Sequence, residues 1–110
     1  MNVMEAMKET VYLASSVAQK LPNSGPLSAA HLINMYHRMR EREDENDPMS
    51  YGKKCRWLGW AQCAVVASGA ATLEDMKRIN ERNKKDPDDA VHTEGCGGVS
   101  ENQEGGEAVP

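Results

Sequence analysis

The chain has no phenylalanine, and aromatic residues of every kind make up only 5% of it. Its core must therefore be filled by the two tryptophans, by leucine and valine, and by a generous supply of methionine, whose flexible thioethers adapt to irregular gaps. Cysteine is also scarce. Cys55, Cys63 and Cys96 are an odd set with no C-x-x-C pairing, which argues against a disulfide framework or a four-cysteine zinc site. On one helix, Cys55 and Cys63 would stand about 12 Å apart along the axis, too far to bridge. The opening residues, MNVMEAMKET, lack a basic flank followed by an apolar run, so no secretory signal is expected there. Reduced thiols in a cytoplasm are the natural setting.

Long hydrophobic runs are missing too. The most apolar stretch, Tyr51 to Ala71, is broken by Gln62 and falls short of the roughly 20 apolar residues that cross a bilayer. No membrane contact is expected. No alternating apolar–polar stretch marks a strand, and nothing recurs at the roughly 20–50-residue period of repeat proteins. Basic residues vanish after position 85. Residues 1–85 hold all 13 Lys and Arg against 10 acids, whereas residues 86–110 hold 7 acids and no Lys or Arg. An acidic tail competes with phosphate for a mildly basic body, which disfavours strong non-specific nucleic-acid binding. The tail, rich in Gly, Glu and Asp, cannot bury enough apolar surface to offset its ordering entropy. The chain divides into a helical domain over 1–85 and a disordered acidic tail over 86–110.

What is present points to an all-α fold of about four helices. Asn2 and Glu5 have the spacing of a capping box, and Met4, Met7, Val11, Ala14, Val17, Ala18 and Leu21 recur at three- and four-residue intervals up to Pro22. Ser28 caps a second helix whose core positions are Leu32, Ile33, Tyr36 and Met39. Its end, RMREREDEND, alternates in sign like a solvated, fraying terminus. Asp47-Pro48 is expected to restart a helix. The third helix, apolar or small on nearly every side, reads as the element buried by all the others. Gly69 would end it, and Thr72 would cap a fourth helix carrying Leu73, Met76 and Ile79 on its inner stripe. The apolar surface of the third helix exceeds what two neighbours cover, so a homodimer is one expectation.

Few motifs carry chemistry. His31 and His37 are six apart and face different ways on a helix, and His92 to Cys96 offers two strong ligands where structural zinc needs four. No metal or other cofactor is expected. GKK at 52–54 lacks the upstream glycine and the Ser or Thr of a phosphate loop, and no nucleophile stands beside a base, so the reading is not an enzyme. Cys55, flanked by Lys53, Lys54 and Arg56, is the candidate reactive thiol if exposed. Cys63, amid Trp60, Ala64 and Val66, is expected to be buried. Residues 60–85 form helix, glycine turn, helix, the order of a DNA-reading helix-turn-helix. In that reading Lys77, Arg78, Arg82, Lys84 and Lys85 contact phosphate. With Gly69 on the turn glycine, however, the apolar positions fall on Asp75 and Arg78, and Met76 and Ile79 come one residue late.

Arg56-Trp57-Leu58-Gly59-Trp60-x-Gln62, a small-residue helix, Gly69 and then Thr72-Leu73-Glu74-Asp75-Met76-Lys77 resemble a segment of small helical accessory proteins of tailed bacteriophages and prophages. The resemblance covers about residues 50–83. It implies a phage-encoded protein in the host cytoplasm that binds and modulates a host or phage protein, such as a defence, recombination, nuclease or transcription component. Taken physically, the same residues read as packing: Gly59 would admit a neighbouring helix, and Gln62 would need a buried partner, a backbone carbonyl or Tyr36.

Overall fold

The computed structural model describes residues 1–84. Four α-helices, α1 (Val3–Ser16), α2 (Ala29–Asp44), α3 (Tyr51–Ala67) and α4 (Leu73–Arg82), make up the body, and no strand occurs among the described residues. The fold is all-α. Lys85 and the whole acidic segment 86–110, including its expected disorder, lie outside the described residues.

Local chemistry sets most of the helix starts. Asn2 accepts from the Glu5 N–H at 3.1 Å, Ser28 from His31 at 3.1 Å and Ser50 from Lys53 at 3.1 Å, each satisfying a donor the helix cannot. Thr72 and Asp75 form a full capping box, with Thr72 accepting from the Asp75 N–H at 3.1 Å and donating its own N–H to the Asp75 carboxylate at 2.9 Å. Two expectations shift. At α1 only half of the box forms, because the Asn2 N–H donates to the Asn83 carbonyl at 2.7 Å and Glu5 pairs with Lys8 instead. At α3 the cap is Ser50, not Asp47. Asp47 is held in the preceding loop by Arg42, whose Nε donates to its carbonyl at 2.7 Å.

Helix ends follow the same logic. Gly69, at φ +82°, terminates α3 as expected. Asn46 at φ 59° turns the chain out of α2, a conformation asparagine tolerates better than most residues. α2 does not fray at Arg38; it stays helical to Asp44. α1 stops at Ser16 rather than running to Leu21, and Ala18–Lys20 form a short 3-10 turn.

The packing centre is α1, not α3. Val3, Ala6, Met7, Thr10, Val11 and Ala14 are buried on it, and it packs against all three other helices, whereas α2 and α3 meet only slightly. Small residues at Ala6 and Ala14 let the neighbours approach, and Met7 and Val11 fill the space between them. α2 contributes Leu32, Met35, Tyr36 and Met39; α3 contributes Cys55, Trp57, Leu58, Ala61, Ala64 and Val65; α4 contributes Met76 and Ile79. This core is thioether-rich, as the missing phenylalanine requires.

Candidate functional site

α3 is two-faced. Cys55, Leu58, Ala61 and Val65 recur at three- and four-residue spacing and point inward, while Gly59, Cys63 and Ala67, four apart, are exposed. The cysteine assignments are therefore exchanged. Cys55 is buried, on the inner face, and is not the accessible thiol; Cys63 is exposed, on the outer one. Flanking lysines decide reactivity only for a thiol that solvent can reach.

On the outer side of α3, Gly59, Cys63, Val66 and Ala67 form the floor of an open groove of about 400 Å³, and Leu73 and Met76 of α4 form its wall. Leu73, expected on the inner stripe of α4, is instead 64% exposed. It is the first residue of a helix whose buried side is set by Met76 and Ile79, and it stands at the rim of this groove. From Trp57 to Leu73 the chain carries no charged residue; Arg56 precedes that stretch and Glu74 follows it. A Cβ placed on Gly59 would meet nothing within 4 Å. No helix of the described body makes the close approach that Gly59 was expected to admit.

Gln62 closes the inner side of the groove. Its amide nitrogen donates to Asn80 Oδ1 at 3.0 Å and to Thr10 Oγ1 at 3.3 Å, and its carbonyl accepts from Asn80 Nδ2 at 3.3 Å. The buried Thr10 hydroxyl donates in turn to the Ala6 carbonyl at 2.8 Å. Tyr36, the partner considered from the sequence, instead accepts from Arg40 at 3.2 Å. One side chain thus joins α1, α3 and α4 across their junction.

The cations of the nucleic-acid reading are placed differently from a phosphate-binding stripe. Arg78 pairs with Asp75 at 2.8 Å within α4, and Lys84 with Glu81 at 3.9 Å. Arg82 reaches α1, where its Nη2 lies 2.5 Å from Glu9, and Asn83 donates to the same carboxylate at 2.9 Å. Burial alone would raise the Glu9 carboxyl, but the hydrogen bonds from Arg82 and Asn83, with the Arg82 charge, hold it below its ordinary value. Lys77 is exposed and has no ion pair among the described residues. α4 packs chiefly on α1 and joins α3 through the Gln62–Asn80 pair, with Met76 and Ile79 inward and mixed charges outward.

A further groove of about 300 Å³ separates α2 from the start of α3. It is lined by Arg38, Glu41, Arg42, Met49, Lys53 and Trp57, with the Lys53 ammonium 5.6 Å from the centre of the Trp57 ring. Among the described residues no three His, Cys, Asp or Glu side chains are grouped to hold a metal ion, and no helix is long and apolar enough to cross a membrane. Comparison with protein families, curated proteins and solved structures finds no match to this chain.

Proposed function

We propose that this protein is a non-enzymatic binding module that works by protein–protein contact through the uncharged outer face of α3 and the apolar rim that Leu73 adds at the start of α4. The observation that carries the reading is Leu73, a large side chain left 64% exposed at the rim of an apolar groove. Burying such a residue against a complementary apolar surface is worth about 1.5–3 kcal/mol, and exposed apolar ground rimmed by polar residues is characteristic of contact sites. The likeness of residues 50–83 to phage accessory proteins makes a host or phage protein the target class and the host cytoplasm the setting. The module would then act by covering a surface that its target needs.

DNA binding through α4 and the residues just after it is less well supported, because Arg78, Arg82 and Lys84, three of the four described cations of that reading, are already paired with carboxylates. The two readings separate in one experiment. Tagged wild type, Leu73→Glu and a Lys77→Ala/Arg78→Ala double variant are purified from a bacterial host after nuclease treatment. A stoichiometric protein that survives moderate salt, is lost with Leu73→Glu and is kept by the double variant is the expected result. Binding to DNA that weakens steeply with salt and is lost in the double variant would overturn it.

A further inference from the structure

Of the four helices, α4 is the most weakly seated. It buries only Met76 and Ile79 among its ten residues, where α1 and α3 bury six residues each. Open grooves run along both of its sides. One lies against α3, and the other, of about 420 Å³, separates it from α1, with Tyr12 and Leu13 on the α1 side and Ile79 on the α4 side. Ten residues are also fewer than the roughly 12–15 below which an isolated helix is marginal in water. α4 therefore keeps its helix by being docked.

The hydrogen bonds and ion pairs that tie it to other helices gather at its far end. Asn80 meets Gln62 of α3, Arg82 and Asn83 meet Glu9 of α1, and the Asn83 carbonyl accepts from the Asn2 N–H. At the near end, the Thr72–Asp75 capping box and the Arg78–Asp75 pair lie within α4 and its own cap. They fasten it to no other helix. Gly69, exposed and at φ +82°, stands in the short turn that leads into it. The helix is fastened at one end and pivoted at the other.

We infer that α4 is a latch: it opens as one unit about the 69–72 turn, unwinding as it leaves, while α1, α2 and α3 stay folded. Its two buried side chains and its polar links all bridge to the rest of the body, so they are lost together. The contacts of α1 with α2 and with α3, the most extensive in the body, remain. The opening is a minor excursion of the folded chain, so bulk denaturation still registers one transition. Each opening takes Leu73 and Met76 out of the groove wall, so the contact face proposed above exists only while the latch is closed. The opening itself does not depend on that reading.

Amide hydrogen exchange of the full-length chain, followed by NMR without urea and at low urea, tests this. The amides from Met76 to Arg82 should share one protection factor, at least about tenfold below that of the best-protected amides of α1 and α3. They should respond little to urea, because a small opening exposes little surface, whereas those of α1 and α3 respond steeply. Glu9→Gln, which loosens the fastening, should speed all the α4 amides by one common factor, about fivefold. Leu32→Val, in the core of α2, should speed the slowest amides of α1 and α3 and leave those of α4 unchanged. Three outcomes overturn the latch: α4 amides with the protection and urea response of α1, α4 amides that follow Leu32→Val, or protection graded residue by residue from one end, which is fraying. None of these touches the proposed function, which stands or falls on target capture by Leu73→Glu.

Discussion

Glu9 links the first helix to the end of the last, and its titration makes that link depend on pH. Its folded-state pKa is depressed, so the stability it provides is fully present above the unfolded carboxyl value of about 4.3 and fades as pH falls through the folded value. Thermal unfolding from about pH 6 to about pH 3 should show the advantage of wild type over Glu9→Gln shrinking across the acid range. A constant difference would mean the carboxylate charge is not what Arg82 and Asn83 hold. Gln62 acts by hydrogen bonding alone. Gln62→Ala removes its bonds to Thr10 and Asn80 and should cost about 1 kcal/mol in urea unfolding. Combined with Asn80→Ala, the loss should be smaller than the sum of the two single losses, because both remove the same contact.

Among the elements, α3 offers the sharpest test, because Gly59 sits mid-helix with open space where a Cβ would be. Gly59→Ala should stabilise the isolated chain by about 1 kcal/mol, read from thermal melts at low concentration. The caps at Asn2, Ser28 and Thr72 and the stop at Gly69 were legible in the sequence because each depends on a few adjacent residues. The start of α3 was not. Asp47 and Ser50 are both good caps three residues apart, and the choice rests on Arg42, which approaches from α2. The cysteine exchange has another origin. Sequence neighbours suggested that Cys63 was buried, but helical spacing puts Cys55 in line with Leu58, Ala61 and Val65, and Cys63 in line with Gly59 and Ala67. The groove was hidden for a related reason: Leu73 follows the inner stripe of α4 by spacing, but as the first residue of that helix it is left exposed while Met76 and Ile79 are buried.

Across the whole molecule, the apolar richness of α3 suggested a fold arranged around that helix, yet α1 is the element that packs most extensively on the other three. Small and medium side chains at Ala6, Met7, Thr10, Val11 and Ala14 serve three neighbours at once, and no count of apolar residues along the chain records that. Met7 is fully buried. Met7→Ala should cost about 2–5 kcal/mol, a large share of the about 5–15 kcal/mol that holds a domain together. Circular dichroism in urea should show all four helices lost in a single, earlier transition. The hydrogen bond from the Asn2 N–H to the Asn83 carbonyl has a further consequence. It brings the two ends of the described body side by side, so the backbone of residues 2–83 is close to a closed ring. A few linking residues would complete that ring, and the exposed Pro22–Leu27 turn is a place to reopen it. A circular permutant begun there would keep every helix contact while moving both chain ends to the opposite side of the order in which the protein is made.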